Sequence, residues 1–203
     1  MAIPILLLGA SGSGKSASMR NFEPDEIGIF NVASKPLPFR KKLPVFNCAD
    51  YGKIMAAMSK SEKKIFVVDD SQYLSVFVNF ARAKETGYGK FVDMALNEYN
   101  LIQFVIQKLP ADVTVYFLRH IDTDVDGRVH AKTIGKMLDQ NLGGLEGLFS
   151  VVLMANTDGN EYWFDTQSDG YTPCKSPLEM FKDRKIPNDL KTVDQTIRAY
   201  WEI

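Results

Sequence analysis

The chain has 203 residues, a formal net charge of −1, and 45% hydrophobic and 24% charged residues. This balance is typical of an ordinary soluble globular protein, and the length suits one domain over 1–203. No stretch approaches the roughly 20 consecutive apolar residues of a membrane span, so we expect no membrane association. The near-neutral charge gives no global electrostatic case for nucleic-acid binding. Cys48 and Cys174 are isolated from each other, which favours a reducing cytoplasm.

Segments typical of strands and helices alternate along the chain, which predicts an α/β fold with a mostly parallel sheet flanked by helices. Apolar segments predict strands over 3–8, 27–32, 45–47, 65–68 and 113–118. Helical periodicity and stop signals predict helices over 50–59, 71–84, 91–109 and 131–140, and a last helix opened by Pro187. Asp-Gly turns predict a hairpin over 122–129 and a C-terminal hairpin over 149–166.

A glycine-rich motif follows the first predicted strand and fits G-x-x-x-x-G-K-[ST] at every fixed position. Its glycines let the backbone turn N–H groups inward around phosphate oxygens, and a helix predicted from residue 16 would add partial positive charge. Lys15 is expected to reach the β- and γ-phosphates, and the Ser16 hydroxyl to ligate Mg²⁺. The predicted phosphate-binding loop (P-loop) consists of Gly9, Ala10, Ser11, Gly12, Ser13, Gly14, Lys15 and Ser16.

Two acidic residues end the apolar segment Ile65-Phe66-Val67-Val68-Asp69-Asp70. In P-loop proteins a strand of this kind lies near the P-loop and delivers a carboxylate to Mg²⁺, the role we predict for Asp69. Asp70 stands where the additional-strand ATPases usually carry the carboxylate that activates water, so it is the candidate general base. The usual residue there is Glu, and the shorter Asp suggests slow hydrolysis.

Three further residues are candidates for contacting the γ-phosphate. His120 follows the strand predicted over 113–118, at the sheet edge where ligands bind, and could sense the γ-phosphate or orient the attacking water. Lys132 or Lys136 could reach the γ-phosphate of a neighbouring subunit and stabilise transition-state charge. ATP is favoured over GTP because the chain has no N-K-x-D segment to read guanine and no D-x-x-G after Asp69.

Several stretches together resemble one protein family. Besides the P-loop and the Asp69 strand, they are Lys35-Pro36-Leu37-Pro38-Phe39, Lys132-Thr133-Ile134-Gly135-Lys136-Met137-Leu138, Lys175-Ser176-Pro177 and Ile186-Pro187-Asn188-Asp189-Leu190. They resemble the phage-encoded, AAA-type, RecA-like ATP-binding proteins, some of which are ATP-dependent single-strand annealing recombinases.

The resemblance implies a RecA-like core that self-associates, binds single-stranded DNA and hydrolyses ATP in the cytoplasm of a bacterial host. It would promote annealing or strand exchange in phage recombination, beside a single-strand-binding protein. A DNA-binding face needs cationic loops and stacking aromatic residues. The candidates are Phe39 beside Arg40-Lys41-Lys42, and Tyr88 beside Lys90.

Two other classes of function stay open. One is a small-molecule kinase, although such enzymes usually carry an arginine-rich lid and the arginines Arg82, Arg119 and Arg128 are scattered. The other is a nucleotide-gated switch such as a helicase loader, in which hydrolysis is slow and a protein partner replaces DNA as the stimulant. The short Asp70 side chain and the near-neutral charge are consistent with this switch.

Overall fold

A computed structural model, which describes residues 1–138 and 143–203, contains one eight-stranded sheet and one two-stranded sheet. The large sheet has the order β10 (Lys185–Pro187), β9 (Tyr162–Asp165), β8 (Val151–Thr157), β1 (Ile3–Leu8), β5 (Thr114–Arg119), β4 (Ile65–Asp69), β2 (Ile27–Asn31) and β3 (Val45–Asn47). The strands from β8 to β3 are parallel, whereas β9 and β10 pair antiparallel at the other edge. The predicted mostly parallel sheet and C-terminal hairpin are therefore confirmed.

Four α-helices of the described chain fall where the sequence predicts them, with ends shifted by a few residues. They are α1 (Tyr51–Lys60), α2 (Gln72–Ala81), α3 (Gly89–Lys108) and α4 (Leu190–Trp201). Carboxylates cap two of them, because Asp50 accepts a hydrogen bond from the Lys53 amide and Asp189 accepts one from the Lys191 amide. None of the helices described is long and apolar enough to cross a membrane.

The segment after the P-loop is a short 3₁₀-helix, Ser16–Asn21, rather than the start of an α-helix. Phe22 is already extended, and Pro24 disfavours a helical backbone at Glu23, so the helix cannot continue. A helix therefore follows the loop as predicted, although it is a short 3₁₀-helix, and its contribution to phosphate binding stays a prediction.

The helix predicted over 131–140 is also wrong in its first half. Ala131 ends β7 (Val129–Ala131), which pairs antiparallel with β6 (Ile121–Thr123) in the small sheet. The Lys132 amide then donates to the His120 carbonyl at 2.9 Å, which continues the hairpin where the helix was expected. Residues 132–136 are irregular, and 139–142 lie outside the described residues.

Alternate side chains of the central strands enter two cores, one on each face of the sheet. Leu6 and Leu8 belong to the core that is completed by α1, α2 and α3, whereas Ile5 and Leu7 belong to the core completed by α4. Both faces are thus covered, which is why β1 reads as a continuous apolar run instead of an alternating one.

The parallel register brings the carboxyl ends of the central strands to one edge of the sheet. β5 lies between β1 and β4, with Leu8 opposite Arg119, and Asn31 on β2 lies opposite Asp69 on β4. The residues that follow β1, β2, β4 and β5 therefore converge, although long stretches of chain separate them.

Asp194 attaches α4 to the sheet through a buried hydrogen-bond network. Its carboxylate accepts from the Thr114 hydroxyl at 2.6 Å, the Tyr116 hydroxyl at 2.8 Å and Arg198 Nε at 2.6 Å. Arg198 also donates to the carbonyls of Asp112 and Lys64, both at 2.9 Å. With Asp194 only 2% exposed, few water molecules could replace these partners.

We expect Asp194→Ala to lower the free energy of unfolding by about 3–5 kcal/mol, because it leaves a partly buried guanidinium and two buried hydroxyls without their acceptor. Urea unfolding followed by circular dichroism measures the loss. Asp25→Ala, which removes an exposed carboxylate, is the control and should cost little. A loss below about 1 kcal/mol for Asp194→Ala would contradict the network's role in holding α4.

Candidate functional site

The predicted P-loop leaves the carboxyl end of β1 and turns tightly before the 3₁₀-helix. Gly12 and Gly14 have φ angles of +80° and +89°, in the left-handed region that favours glycine. A Cβ atom on Gly14 would lie 2.8 Å from Tyr162 Cδ1 and 2.9 Å from Asn188 Nδ2. Backbone conformation and close packing thus both account for glycine at this position of the motif.

Lys15 is folded back onto its own loop. Its ammonium donates to the carbonyls of Gly9 and Ala10, both at 2.8 Å, and the residue is only 6% exposed. Burial lowers the pKa of Lys15 from 10.5 to about 8, against the opposing attraction of Asp70 and Asp69. An ammonium has three donors, so this geometry leaves capacity for an anion beside the loop.

Ser16 and Asp69 meet across the edge of the sheet. The Ser16 hydroxyl donates to Asp69 Oδ1 at 2.8 Å, and Asp69 is 6% exposed at the end of β4. Burial raises the pKa of Asp69 from 3.8 to about 6, although the hydrogen bond from Ser16 opposes the shift. A hydroxyl and a carboxylate side by side are oxygen ligands of the kind that Mg²⁺ prefers.

Asp70 has two cationic or potentially cationic neighbours. Its Oδ2 is 2.7 Å from Lys35 Nζ, and its Oδ1 is 3.4 Å from His120 Nε2. The pKa of His120 lies below its usual value, first because the ring is partly buried and then because Lys15 is near. A neutral imidazole has a ring nitrogen that can accept a hydrogen bond from water, the property required of a residue that orients water.

The backbone at Asp70 is in the left-handed region, with φ of +57°. Asp tolerates this conformation better than most residues, but the conformation still costs about 1–2 kcal/mol. It is held in place because the Ser71 amide donates to the Leu118 carbonyl at 2.8 Å and the Tyr73 amide donates to the Asp70 carbonyl at 2.9 Å. The fold therefore maintains a strained backbone to direct this carboxylate.

A cavity of about 450 Å³ connects these groups. Its lining includes the predicted Ser11, Gly12, Gly14, Lys15, Ser16, Asp69, Asp70 and His120. It also includes six residues absent from the predicted site: Ala17, Asn31, Lys35, Pro36, Pro38 and Tyr162. Strand-end reasoning could have found Lys35, which follows β2, but Tyr162 reaches the P-loop from the antiparallel hairpin, and no sequence pattern marks that approach.

The two lysines predicted to act on a neighbouring subunit do not line this cavity in the described chain. Lys132 is exposed, and its backbone amide holds the His120 carbonyl. Lys136 lines a separate cavity beside Asp122 and Asp124. Because a single chain contains no neighbouring subunit, the role of each lysine in an oligomer stays a prediction.

Some of the candidate DNA contacts have partners within the fold. Phe39 packs against the core on the α4 face of the sheet, and Lys41 forms an ion pair with Glu23 at 2.7 Å. Tyr88 is exposed, and Lys90 lies over the ring of its neighbour Phe91. Phe39, Lys41 and Lys90 thus have contacts within the fold, whereas Tyr88 is open to solvent; DNA binding by all of these residues stays a prediction.

The lowered pKa of Lys15 has a consequence for stability. Between pH 8 and 10.5 the unfolded chain binds more protons at this residue than the folded one, so stability should rise with pH. Relative to Lys15→Met, the wild type should gain about 3 kcal/mol of unfolding free energy over this interval. Urea unfolding of both proteins at several pH values measures the difference, and a constant difference would contradict a lowered pKa.

Comparison with known proteins finds no relative of this chain from which a function could be inferred. No protein-family model matches the chain, and a search of curated proteins finds no match either.

Proposed function

We propose that the chain is an ATPase that binds Mg²⁺·ATP in the P-loop cavity and, as an oligomer, acts on single-stranded DNA in phage recombination or annealing. The observation that carries the nucleotide chemistry is the 2.8 Å contact between Ser16 and Asp69. It joins the end of the P-loop to the acidic strand, so a hydroxyl and a carboxylate face one cation position beside Lys15.

The residues of the cavity divide into recognisable chemical roles. Lys15 and the backbone amides of the P-loop bind phosphate oxygens, and Ser16 and Asp69 hold Mg²⁺ or its water molecules. When bound, Mg²⁺ supplies charge neutralisation on the phosphates. Asp70 accepts the proton of the attacking water, and His120, 3.4 Å from Asp70, helps to orient that water.

The order of strands supports the ATPase over the kinase alternative. β5 lies between the P-loop strand β1 and the acidic strand β4, in the position of the extra strand that gives the additional-strand ATPases their name. Asp70 and His120 follow β4 and β5 directly, so this arrangement directs a base and a polar side chain at the same cavity. No arginine lines the cavity in the described chain, whereas a kinase lid is usually rich in arginine.

A nucleotide-gated switch is the second candidate, and one observation favours it. Lys35 forms an ion pair with Asp70 at 2.7 Å, which occupies the carboxylate that would accept the proton of the attacking water. Slow hydrolysis would keep the ATP-bound state long enough to control a partner. The DNA-dependent part of the leading proposal rests on the sequence resemblance, so stimulation by DNA separates the two candidates.

We expect the protein to hydrolyse ATP in the presence of Mg²⁺, and single-stranded DNA to stimulate this hydrolysis. Lys15→Ala should reduce hydrolysis by at least about 100-fold, because it removes a preorganised cation near the transferring phosphate. Phosphate release with and without a mixed-sequence oligonucleotide measures both effects. Lys53→Ala, an exposed lysine on α1, is the matched control and should retain activity.

The circular dichroism spectrum of Lys15→Ala should match that of the wild type, because the hydrogen bonds of the Lys15 ammonium go to carbonyls of its own loop. Hydrolysis that DNA does not change would favour the switch. Activity that survives Lys15→Ala would place the chemistry elsewhere and overturn the proposal.

We expect Asp70→Asn to retain Mg²⁺·ATP binding and to lose turnover by roughly 100-fold or more, because an amide cannot accept the proton of the attacking water. Isothermal titration measures binding, and single-turnover hydrolysis measures the chemical step. Turnover close to that of the wild type would show that Asp70 is not the general base.

A further inference from the structure

Lys35 is held at its backbone, whereas its side chain is largely exposed to solvent. The Asn31 side chain donates to the Lys35 carbonyl at 2.7 Å and accepts from the Lys35 amide at 3.3 Å, while Ser34 adopts a left-handed φ of +53°. Asn31 is buried, so this turn after β2 is anchored in the sheet. The side chain of Lys35 is nevertheless 57% exposed and lines the P-loop cavity.

The bond between Lys35 and Asp70 is easily exchanged. The Lys35 ammonium is largely in water, so solvent can replace Asp70 as its partner, and lysine has a flexible four-carbon stem with three rotatable donors. The ammonium also lies over the ring of Tyr73, 5.0 Å from its centroid, so its surroundings favour a cation without enclosing it.

The charges in the cavity indicate which part of a bound nucleotide Lys35 would contact. Lys15 and Lys35 face Asp69 and Asp70, so the carboxylates offset the two lysines. A nucleoside triphosphate with one Mg²⁺ still carries net negative charge, most of it at the terminal phosphate. That phosphate competes with a single carboxylate for the exposed ammonium, and the competition favours the more highly charged acceptor.

We propose that Lys35 is a sensor of the terminal phosphate, which leaves Asp70 for the γ-phosphate when a nucleoside triphosphate binds and thereby frees Asp70 to accept a proton from water. This inference rests on the proposed function, since it assigns a role within the same site. It predicts that Lys35 discriminates between a triphosphate and a diphosphate and contributes little to binding of the diphosphate.

The first test compares binding of two nucleotides by isothermal titration, Mg²⁺·ADP and the Mg²⁺ complex of the non-hydrolysable β,γ-imido analogue of ATP. Lys35→Gln should weaken binding of the analogue by roughly 10- to 100-fold, the range for loss of a charge-assisted hydrogen bond, and change ADP binding by less than about threefold. Lys35→Arg should restore part of the preference, and Lys53→Ala should match the wild type.

A double-mutant cycle tests the exchange itself. Asp70→Asn releases Lys35 in the free protein, so it should tighten binding of the analogue relative to ADP by roughly threefold or more. In the Lys35→Gln background the same substitution should produce no such gain. A gain of equal size in both backgrounds would mean that removal of negative charge alone is responsible, which would overturn the exchange.

The outcomes separate this inference from the function on which it rests. If Lys35→Gln weakens both nucleotides equally or leaves both unchanged, the inference is wrong while ATP binding stands. If the wild type binds neither nucleotide, the proposed function fails and the inference fails with it. Circular dichroism of each variant checks that the fold is retained.

Discussion

The hydrogen bond between Ser16 and Asp69 joins residues 53 positions apart in the chain, and it depends on the spacing of the sheet. With β5 between them, β1 and β4 lie about 10 Å apart, two strand spacings. The P-loop and the Asp69 side chain bridge that gap from opposite sides, which a shift in strand register would prevent. The pairing of β1 with β5 and β8, together with the packing of its side chains in both cores, holds that register.

The same geometry buries two ionisable side chains at the site, which costs free energy because their charged forms lose contact with water. Lys15 and Asp69 are both buried. Burial lowers the pKa of Lys15 and raises the pKa of Asp69, and each shift favours the neutral form of the side chain. A protein selected for stability alone would replace such groups, so their burial is consistent with a site shaped for a charged ligand. The left-handed backbone at Asp70 adds a second local cost, and it too lies at the cavity.

The C-terminal part of the chain supports the P-loop from the side. Asn188, which is buried, donates to the Gly14 carbonyl at 3.3 Å and accepts from Arg20 through its own carbonyl at 2.8 Å. Directly after it, Asp189 caps α4, and Asp194 then anchors that helix to β5. The P-loop and the 3₁₀-helix after it are thus in contact with residues that come about 170 positions later in the chain.

Local sequence patterns determined the parts of this protein that local physics controls. The glycine-rich motif, the apolar strands, the acidic end of β4 and most helices follow from spacing and side-chain type within a few residues. Tertiary structure alone decided the ion pair of Lys35 with Asp70, the packing of Tyr162 and Asn188 on Gly14, and the extension of β7 where a helix was predicted. These features depend on which strands become neighbours and in what register, and pairing between distant segments is set by burial in the whole fold rather than by any single stretch of chain.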